Sequence, residues 1–138
     1  MSSFKILCIE DNQQTQRMLT FLLTKAGFEV IAADDGRQGI EKAKAWRPAL
    51  ILVDMMMPGM SGSEVIRTLR ADPVTKDVPM LVLSAYDDEA LIEEALAAGA
   101  DDYLPKTISP TDLIQAIDDY LKVGQTILTR RAFQAMSG

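Results

Sequence analysis

The chain has 138 residues, of which 48% are hydrophobic and 25% are charged, a composition typical of a single globular domain. The formal net charge of −6 argues against nucleic-acid binding by this chain alone, and no apolar run approaches the ~20 residues that a membrane span requires. Histidine is absent, which excludes a serine–histidine nucleophile pair and a histidine-ligated zinc site.

Five short apolar runs are predicted to be strands, and five predicted helices alternate with them. The runs cover residues 4–9, 28–33, 49–53, 79–83 and 102–104. The first contains Cys8, the only cysteine, whose apolar neighbours predict a buried structural thiol. The run 49–53 is wholly apolar, which is typical of a central strand buried on both faces.

Capping residues mark where the predicted helices begin, and glycine or proline marks where they end. The predicted caps are Asp11 or Asn12, Asp35, Ser61, Asp87 or Asp88, and Ser109. The breakers are Gly27, Pro48, Pro73, Gly99 and Gly124. Apolar residues at helical spacing predict the inward faces, including Met18, Leu19, Leu22 and Leu23 in the first helix and Leu91, Ala95 and Leu96 in the fourth.

This alternation of strand and helix predicts an α/β fold in which a doubly wound, five-stranded parallel sheet carries helices on both faces. We expect the flavodoxin-like strand order 2-1-3-4-5. In such sheets, ligands bind at the carboxyl ends of the strands, where the strand order reverses. The first and third strands flank that reversal.

Five polar residues follow the ends of these strands and are predicted to converge on one edge of the sheet. They are Glu10, Asp11, Asp54, Ser84 and Lys106. Three carboxylates, a hydroxyl and an ammonium around a small space suit a divalent cation together with a transferred phosphoryl group. Taken singly, each has a plainer interpretation: a helix cap, a strand-end acid, a turn serine or a solvated lysine.

In this combination the chain resembles the receiver domain of bacterial two-component response regulators, over about residues 4 to 122. The resemblance rests on the acid pair at 10–11, on Asp54 followed by Met57-Pro58-Gly59-Met60-Ser61-Gly62, on Ser84-Ala85, and on Tyr103 three residues before Lys106. It implies that Asp54 is the phosphoacceptor. It also implies a Mg²⁺ site formed by Glu10, Asp11, Asp54 and the backbone carbonyl of Met56.

The resemblance further implies that Ser84 and Lys106 bind the phosphoryl group and that Tyr103 packs inward when Ser84 shifts. Tyr103 also fits a half-buried strand tyrosine with no such role. Ala85 is small and leaves the pocket open to a phosphodonor. Met56 and Tyr86 occupy positions that overhang the phosphoryl group in receiver domains, so we expect them to obstruct water and prolong the phosphorylated state.

The sequence departs from the usual receiver pattern next to Lys106. The family commonly has a proline after the lysine, in a cis peptide, whereas here Pro105 precedes Lys106 and Thr107 follows it. A cis bond without proline costs ~3 kcal/mol, so the geometry of the Lys106–Thr107 peptide stays open at this point.

We therefore predict a receiver domain over residues 1–123 and a tail over 124–138, which either links to an output domain or ends a stand-alone protein. The expected partners are a sensor histidine kinase or histidine phosphotransfer protein, which supplies the phosphohistidine, and an output domain or protein; a homodimer is compatible with the pattern. The chain lacks a signal-peptide profile, and we expect a cytoplasmic protein that binds neither membrane nor nucleic acid directly.

In this signalling role the chain is not an enzyme beyond assisting its own modification, and the sequence disfavours three other functions. A phosphorylation-independent scaffold of the same fold would have no reason to keep the acids, Ser84 and Lys106 together. A hydrolase with an aspartyl-phosphate intermediate usually carries an acid two residues after the nucleophile, where this chain has Met56. A flavin or dinucleotide binder is disfavoured because no Gly-x-Gly-x-x-Gly follows the first strand.

Overall fold

The computed structural model describes residues 4–122, which form one parallel sheet covered by helices on both faces. The strands are β1 (Lys5–Ile9), β2 (Glu29–Ala33), β3 (Leu50–Asp54), β4 (Met80–Ser84) and β5 (Asp102–Pro105). The helices are α1 (Gln13–Lys25), α2 (Gly36–Trp46), α3 (Gly62–Arg70) and α4 (Glu89–Ala98), with α5 running from 110 to 122, where the description ends. The predicted tail at 124–138 lies outside the described residues.

The sheet has the predicted strand order, β2-β1-β3-β4-β5, and every neighbouring pair is parallel. All five residues of β3 and of β4 are buried, as expected of central strands covered on both faces. Helix α3 begins after Ser61, whose side chain accepts a hydrogen bond from the backbone N–H of Glu64. Asn12, Asp35 and Asp88 cap α1, α2 and α4 in the same way.

Side-chain alternation along the strands divides the core into two layers. In β1, Leu7 and Ile9 pack with the side of the sheet that carries α2, α3 and α4. Ile6 and Cys8 point the other way, into the layer beneath α1 and α5. Burial raises the pKa of the Cys8 thiol to about 12, with a smaller contribution from the charge of Glu10, so the prediction of a buried structural thiol is confirmed.

Two predicted inward positions are wrong: Met18 in α1 is 52% exposed, and Leu96 in α4 is 46% exposed. Helix α1 instead buries Gln16, Leu19 and Leu23. Successive residues in a helix are about 100° apart, so a stripe centred on Leu19 and Leu23 turns Met18 towards solvent. The polar member of the buried set, Gln16, was not anticipated from the sequence.

Arg70, at the end of α3, ties together the loops at the amino end of β4 and β5. Its guanidinium donates to the carbonyls of Gly99, Lys76 and Val78 at 2.6–3.0 Å and lies 2.9 Å from the carboxylate of Asp101. Gly99 adopts φ +117°, and a Cβ there would lie 2.8 Å from Arg70 Cγ, so glycine suits both the backbone and the packing. Asp101 Oδ2 also accepts from the N–H of Met80, the first residue of β4.

No helix within residues 4–122 combines the length and the apolar character needed to cross a membrane.

Candidate functional site

The acid pair leaves the carboxyl end of β1 at the point where the strand order reverses. The Glu10 side chain is 3% exposed, whereas Asp11 is exposed to solvent. The cap of α1 is Asn12, whose side chain accepts from the N–H of Thr15 at 3.0 Å. Asp11 is therefore not the helix cap, which resolves the alternative that the sequence left open.

Asp54 ends β3, the neighbour of β1, and its carboxylate faces the acid pair. Glu10, Asp11 and Asp54 each offer one carboxylate oxygen, and these atoms all lie within 4.8 Å of one another. Burial raises the pKa of Asp54 to about 7; a hydrogen bond with Glu10 and the charge of Glu10 act in the same direction, while Lys106 opposes them. Three clustered carboxylates of this kind fit a hard divalent cation that prefers oxygen ligands.

Lys106 follows β5 and places its ammonium between two of these acids. Its Nζ lies 2.8 Å from Glu10 Oε1 and 3.4 Å from Asp54 Oδ2, so the shorter contact is with Glu10. Burial lowers the pKa of Lys106, but the hydrogen bond to Glu10 and the two carboxylate charges outweigh it, so the net shift is upwards. All peptide bonds between residues 4 and 122 are trans, including Lys106–Thr107, where proline is absent.

The start of α3 packs directly against the backbone of Asp54. The N–H of Gly62 donates to the carbonyl of Met55 at 2.8 Å. A Cβ on Gly62 would lie 2.5 Å from the carbonyl oxygen of Asp54 and 2.9 Å from the Cα of Met55. Both are backbone atoms, so relieving the clash would require the main chain to move. Glycine at 62 therefore lets the loop after β3 close tightly around the site.

Ser84 ends β4, one residue beyond Leu83, the register partner of Asp54. The side chain is buried, and its Oγ accepts a hydrogen bond from the N–H of Tyr86 at 3.1 Å. The backbone carbonyl of Ser84 accepts from the N–H of Lys106 at 2.8 Å. Ser84 is thus tied both to its own loop and to the lysine of the site.

Tyr103 in β5 reaches back to the loop that follows Ser84. Its hydroxyl donates to the carbonyl of Tyr86 at 2.8 Å, and its ring packs partly against the core layer beneath α4. The peptide groups flanking Tyr86 therefore bond on one side to the Ser84 hydroxyl and on the other to the Tyr103 hydroxyl. The sequence did not predict this connection, because one partner in each bond is a backbone atom.

The three methionines after Asp54 have different environments. Met55 is fully buried and Met57 nearly so, whereas Met56 is 48% exposed. Across the site, Tyr86 is 54% exposed and Ala85 is also exposed. The two residues expected to overhang the phosphoacceptor are thus the bulky apolar side chains in these loops that reach solvent.

A family model described as the response regulator receiver domain matches residues 6–118. The DNA-binding response regulator MtrA of Mycolicibacterium paratuberculosis is 37% identical over 113 residues, which are 82% of this chain and 49% of that protein. Hybrid signal transduction histidine kinase D of Dictyostelium discoideum is 41% identical over 112 residues, or 81% of this chain and 7% of the kinase. The chain thus spans about half the length of MtrA and a small part of the kinase.

Solved structures give the same result. Chemotaxis protein CheY4 of Vibrio cholerae superposes with a TM-score of 0.82 at 30% identity, covering 86% of this chain and 98% of CheY4. The receiver domain of sensor histidine kinase PA1611 of Pseudomonas aeruginosa superposes with a TM-score of 0.82 at 29% identity, covering 88% and 99%. That domain was solved with a magnesium ion coordinated in its active site cleft.

Proposed function

Because this chain belongs to the response regulator receiver domain family, we propose that it accepts a phosphoryl group on Asp54 and changes its surface in response. The observation that carries the proposal is the cluster of Glu10, Asp11, Asp54 and Lys106 at the reversal of strand order. Three acids and one ammonium at such a point suit phosphoryl transfer, in which positioning and charge stabilisation do most of the work.

The residues that would hold Mg²⁺ are Glu10, Asp11 and Asp54, with the backbone carbonyl of Met56 as a further ligand. Hard oxygen donors of this kind match the preference of the ion. When bound, Mg²⁺ offsets negative charge on the phosphoryl oxygens. The receiver domain of PA1611, solved with a magnesium ion in its active site cleft, supports Mg²⁺ as the ion.

The reaction needs a nucleophile, which Asp54 supplies, and a donor, for which we assign a phosphohistidine outside these 138 residues, since they contain no histidine. A carboxylate oxygen of Asp54 forms a bond to phosphorus as the P–N bond to the donor imidazole breaks. The electron pair of that bond stays on the imidazole nitrogen, which takes up a proton. Lys106 then exchanges carboxylate contacts for a phosphoryl oxygen.

Ser84 and Tyr103 would convert this local event into a change of surface. The Ser84 Oγ accepts from the N–H of Tyr86, and its O–H can donate to a phosphoryl oxygen at the same time, which would draw the loop inward. That movement would displace the carbonyl of Tyr86, which accepts from the Tyr103 hydroxyl. Tyr103 is then free to pack inward, which shifts an equilibrium between two arrangements of the α4–β5–α5 surface.

Three residues around the phosphoacceptor would set access and lifetime. Ala85 leaves room for the donor. Met56 and Tyr86 lie in the loops after β3 and β4 with exposed side chains, and their bulk would obstruct the water that hydrolyses an acyl phosphate. We therefore assign this chain a slow loss of the phosphoryl group.

The partners follow from this chemistry. The donor is a histidine kinase or a histidine phosphotransfer protein, and a cytoplasmic location fits a donor that is phosphorylated from ATP. The relatives named above are a DNA-binding response regulator and a hybrid histidine kinase, both longer than this chain. We therefore assign residues 1–123 to the receiver domain and 124–138 to a tail that can join it to an output domain. Any direct contact with nucleic acid would be made by that output domain. The surface that changes on phosphorylation could also bind a second copy of this chain and form a homodimer.

The test is incubation with Mg²⁺ and acetyl phosphate, followed by intact-mass measurement. We expect a single labile phosphate adduct that is lost in Asp54→Asn and in the absence of Mg²⁺. No adduct on the wild-type protein would favour the phosphorylation-independent scaffold. Rapid multiple turnover of acetyl phosphate would favour a hydrolase, and either result would overturn the proposal.

A further inference from the structure

Gln16 is a buried polar side chain with 9% of its surface exposed, next to the acid pair. Its Nε2 faces three oxygen acceptors: the carbonyl of Glu10 at 3.0 Å, the carbonyl of Ala33 at 3.3 Å and Asp34 Oδ1 at 2.8 Å. Because all three are acceptors, the amide must present its nitrogen to them. The side chain therefore works here as a donor.

The two backbone carbonyls, those of Glu10 and Ala33, lie at the last hydrogen bond between the β1 and β2 segments. The N–H of Glu10 donates to the carbonyl of Ala33 at 3.0 Å, and beyond this bond the two chains diverge into their loops. The carbonyl of Glu10 is part of the peptide group that joins Glu10 to Asp11. A donor fixed on that carbonyl restricts rotation of the peptide, and with it the directions in which both carboxylates leave the backbone.

We propose that Gln16 is a positioning residue for the metal-binding acids, acting through the Glu10–Asp11 peptide. The inference rests on the metal site of the proposed function. Groups that orient metal ligands typically contribute 10–100-fold to metal affinity. Asp11 has the greatest need of such support, because its side chain is exposed while Glu10 is already held by Lys106.

Gln16 is itself held in place from the side of α2. Asp34 accepts from Gln16 and from Nε2 of Gln13 at 3.1 Å, and its own N–H donates to Gln38 Oε1 at 3.1 Å. The hydrogen bonds from Gln16 and then Gln13 lower the pKa of Asp34, which keeps this carboxylate ionised as a strong acceptor. Gln13 offers a matched comparison, since it is exposed and donates to the same carboxylate.

The experiment is calorimetric titration of MgCl₂ into the wild-type protein, Gln16→Met and Gln13→Met, with thermal unfolding of each in EDTA. Methionine keeps the length of the side chain and removes the donor. We expect the Kd for Mg²⁺ to rise about tenfold in Gln16→Met and to stay within about twofold in Gln13→Met. A merely structural role would lower the melting temperature in EDTA and leave the Kd unchanged, and that result would overturn the inference.

Gln16→Glu is the second variant, because it adds a carboxylate near the site and also lacks the donor. Simple charge attraction predicts tighter Mg²⁺ binding, whereas loss of positioning predicts weaker binding, and we expect the latter. Unchanged or tighter binding in a folded Gln16→Glu protein, or failure of both Gln16 variants to fold, would overturn the inference. Absence of Mg²⁺ binding by the wild-type protein would instead refute the metal site of the proposed function, and the inference with it.

Discussion

Replacing Lys106 with methionine is expected to tighten Mg²⁺ binding while weakening phosphorylation. The ammonium of Lys106 lies 2.8 Å from Glu10 Oε1 and 3.4 Å from Asp54 Oδ2, so it occupies oxygens that the proposed Mg²⁺ would need. By linkage, whatever free energy couples the lysine to these acids opposes the binding of a second cation. Methionine fills a similar volume and removes that competitor.

The magnitude follows from the burial of the pair. Exposed ion pairs contribute about 0.2–1 kcal/mol, and breaking a buried pair costs about 3–5 kcal/mol. The Glu10 side chain is 3% exposed and that of Lys106 is 24% exposed, which places this pair between the two classes. Allowing for the freedom of the lysine to swing aside, we expect a coupling of about 1.4 kcal/mol, or a tenfold fall in Kd.

The pH of the titration matters because protons also compete for Asp54. The pKa of Asp54 is already raised to about 7, and the charge of Lys106 opposes that rise. In Lys106→Met, Asp54 therefore keeps its proton to a higher pH than in the wild-type protein. Protonated Asp54 cannot bind the metal, and wild-type affinity should therefore increase from about pH 6 to about pH 8. The gain in Lys106→Met should be largest at about pH 9 and smaller at about pH 7.

The assay is calorimetric titration of MgCl₂ at about pH 9, with Lys76→Met as the control. Lys76 is exposed in the loop before β4, at the opposite end of the sheet, and its loss changes the net charge equally. An unchanged or higher Kd in Lys106→Met, or an equal fall in both variants, would refute the reasoning. The adduct formed with acetyl phosphate should decline in Lys106→Met alone.

Three further outcomes are expected. Met56→Asn combined with Tyr86→Glu should speed loss of the phosphoryl group by about tenfold, timed by intact mass; decay at the wild-type rate would show that these side chains do not shield the site. Arg70→Met should lower the free energy of unfolding by about 2–4 kcal/mol in urea, against less than about 0.5 kcal/mol for the exposed Lys44→Met, and equal losses would contradict the role given to Arg70. Cys8 should resist thiol reagents at about pH 8 until the protein is unfolded, and rapid labelling of the folded protein would contradict its burial.

Much of the fold was predictable because local signals agreed with one another. Each apolar run became a strand within a residue or two of its predicted bounds, and residues such as Ser61 and Asp35 capped the helices expected of them. The acid pair, Asp54 and Lys106 were predicted to meet because each follows the carboxyl end of a parallel strand. That rule depends only on strand direction and order, which the alternating pattern indicates.

What escaped prediction depends on contacts with backbone atoms or on helix rotation. Gln16 lies in a polar stretch that suggests a solvated first turn. Two of its acceptors are backbone carbonyls, which every residue has and which the sequence therefore cannot reveal as partners. The same is true of Arg70 and of the bonds around Tyr86. The preference of Lys106 for Glu10 over Asp54 is a difference of 0.6 Å, which no spacing along the chain encodes.

The two ends of β4 differ in how firmly they are anchored. At its first residue, Met80 is bonded to Asp101, which Arg70 clamps in turn, whereas beyond its last residue the loop depends on the hydroxyls of Ser84 and Tyr103. If Asp54 is phosphorylated as proposed, we expect the displacement to be confined to the loop after β4, because β4 itself is paired on both sides with β3 and β5. A binding partner would then sense the change on the surface beside Tyr86 and Tyr103, and the end of the sheet held by Arg70 would keep its shape.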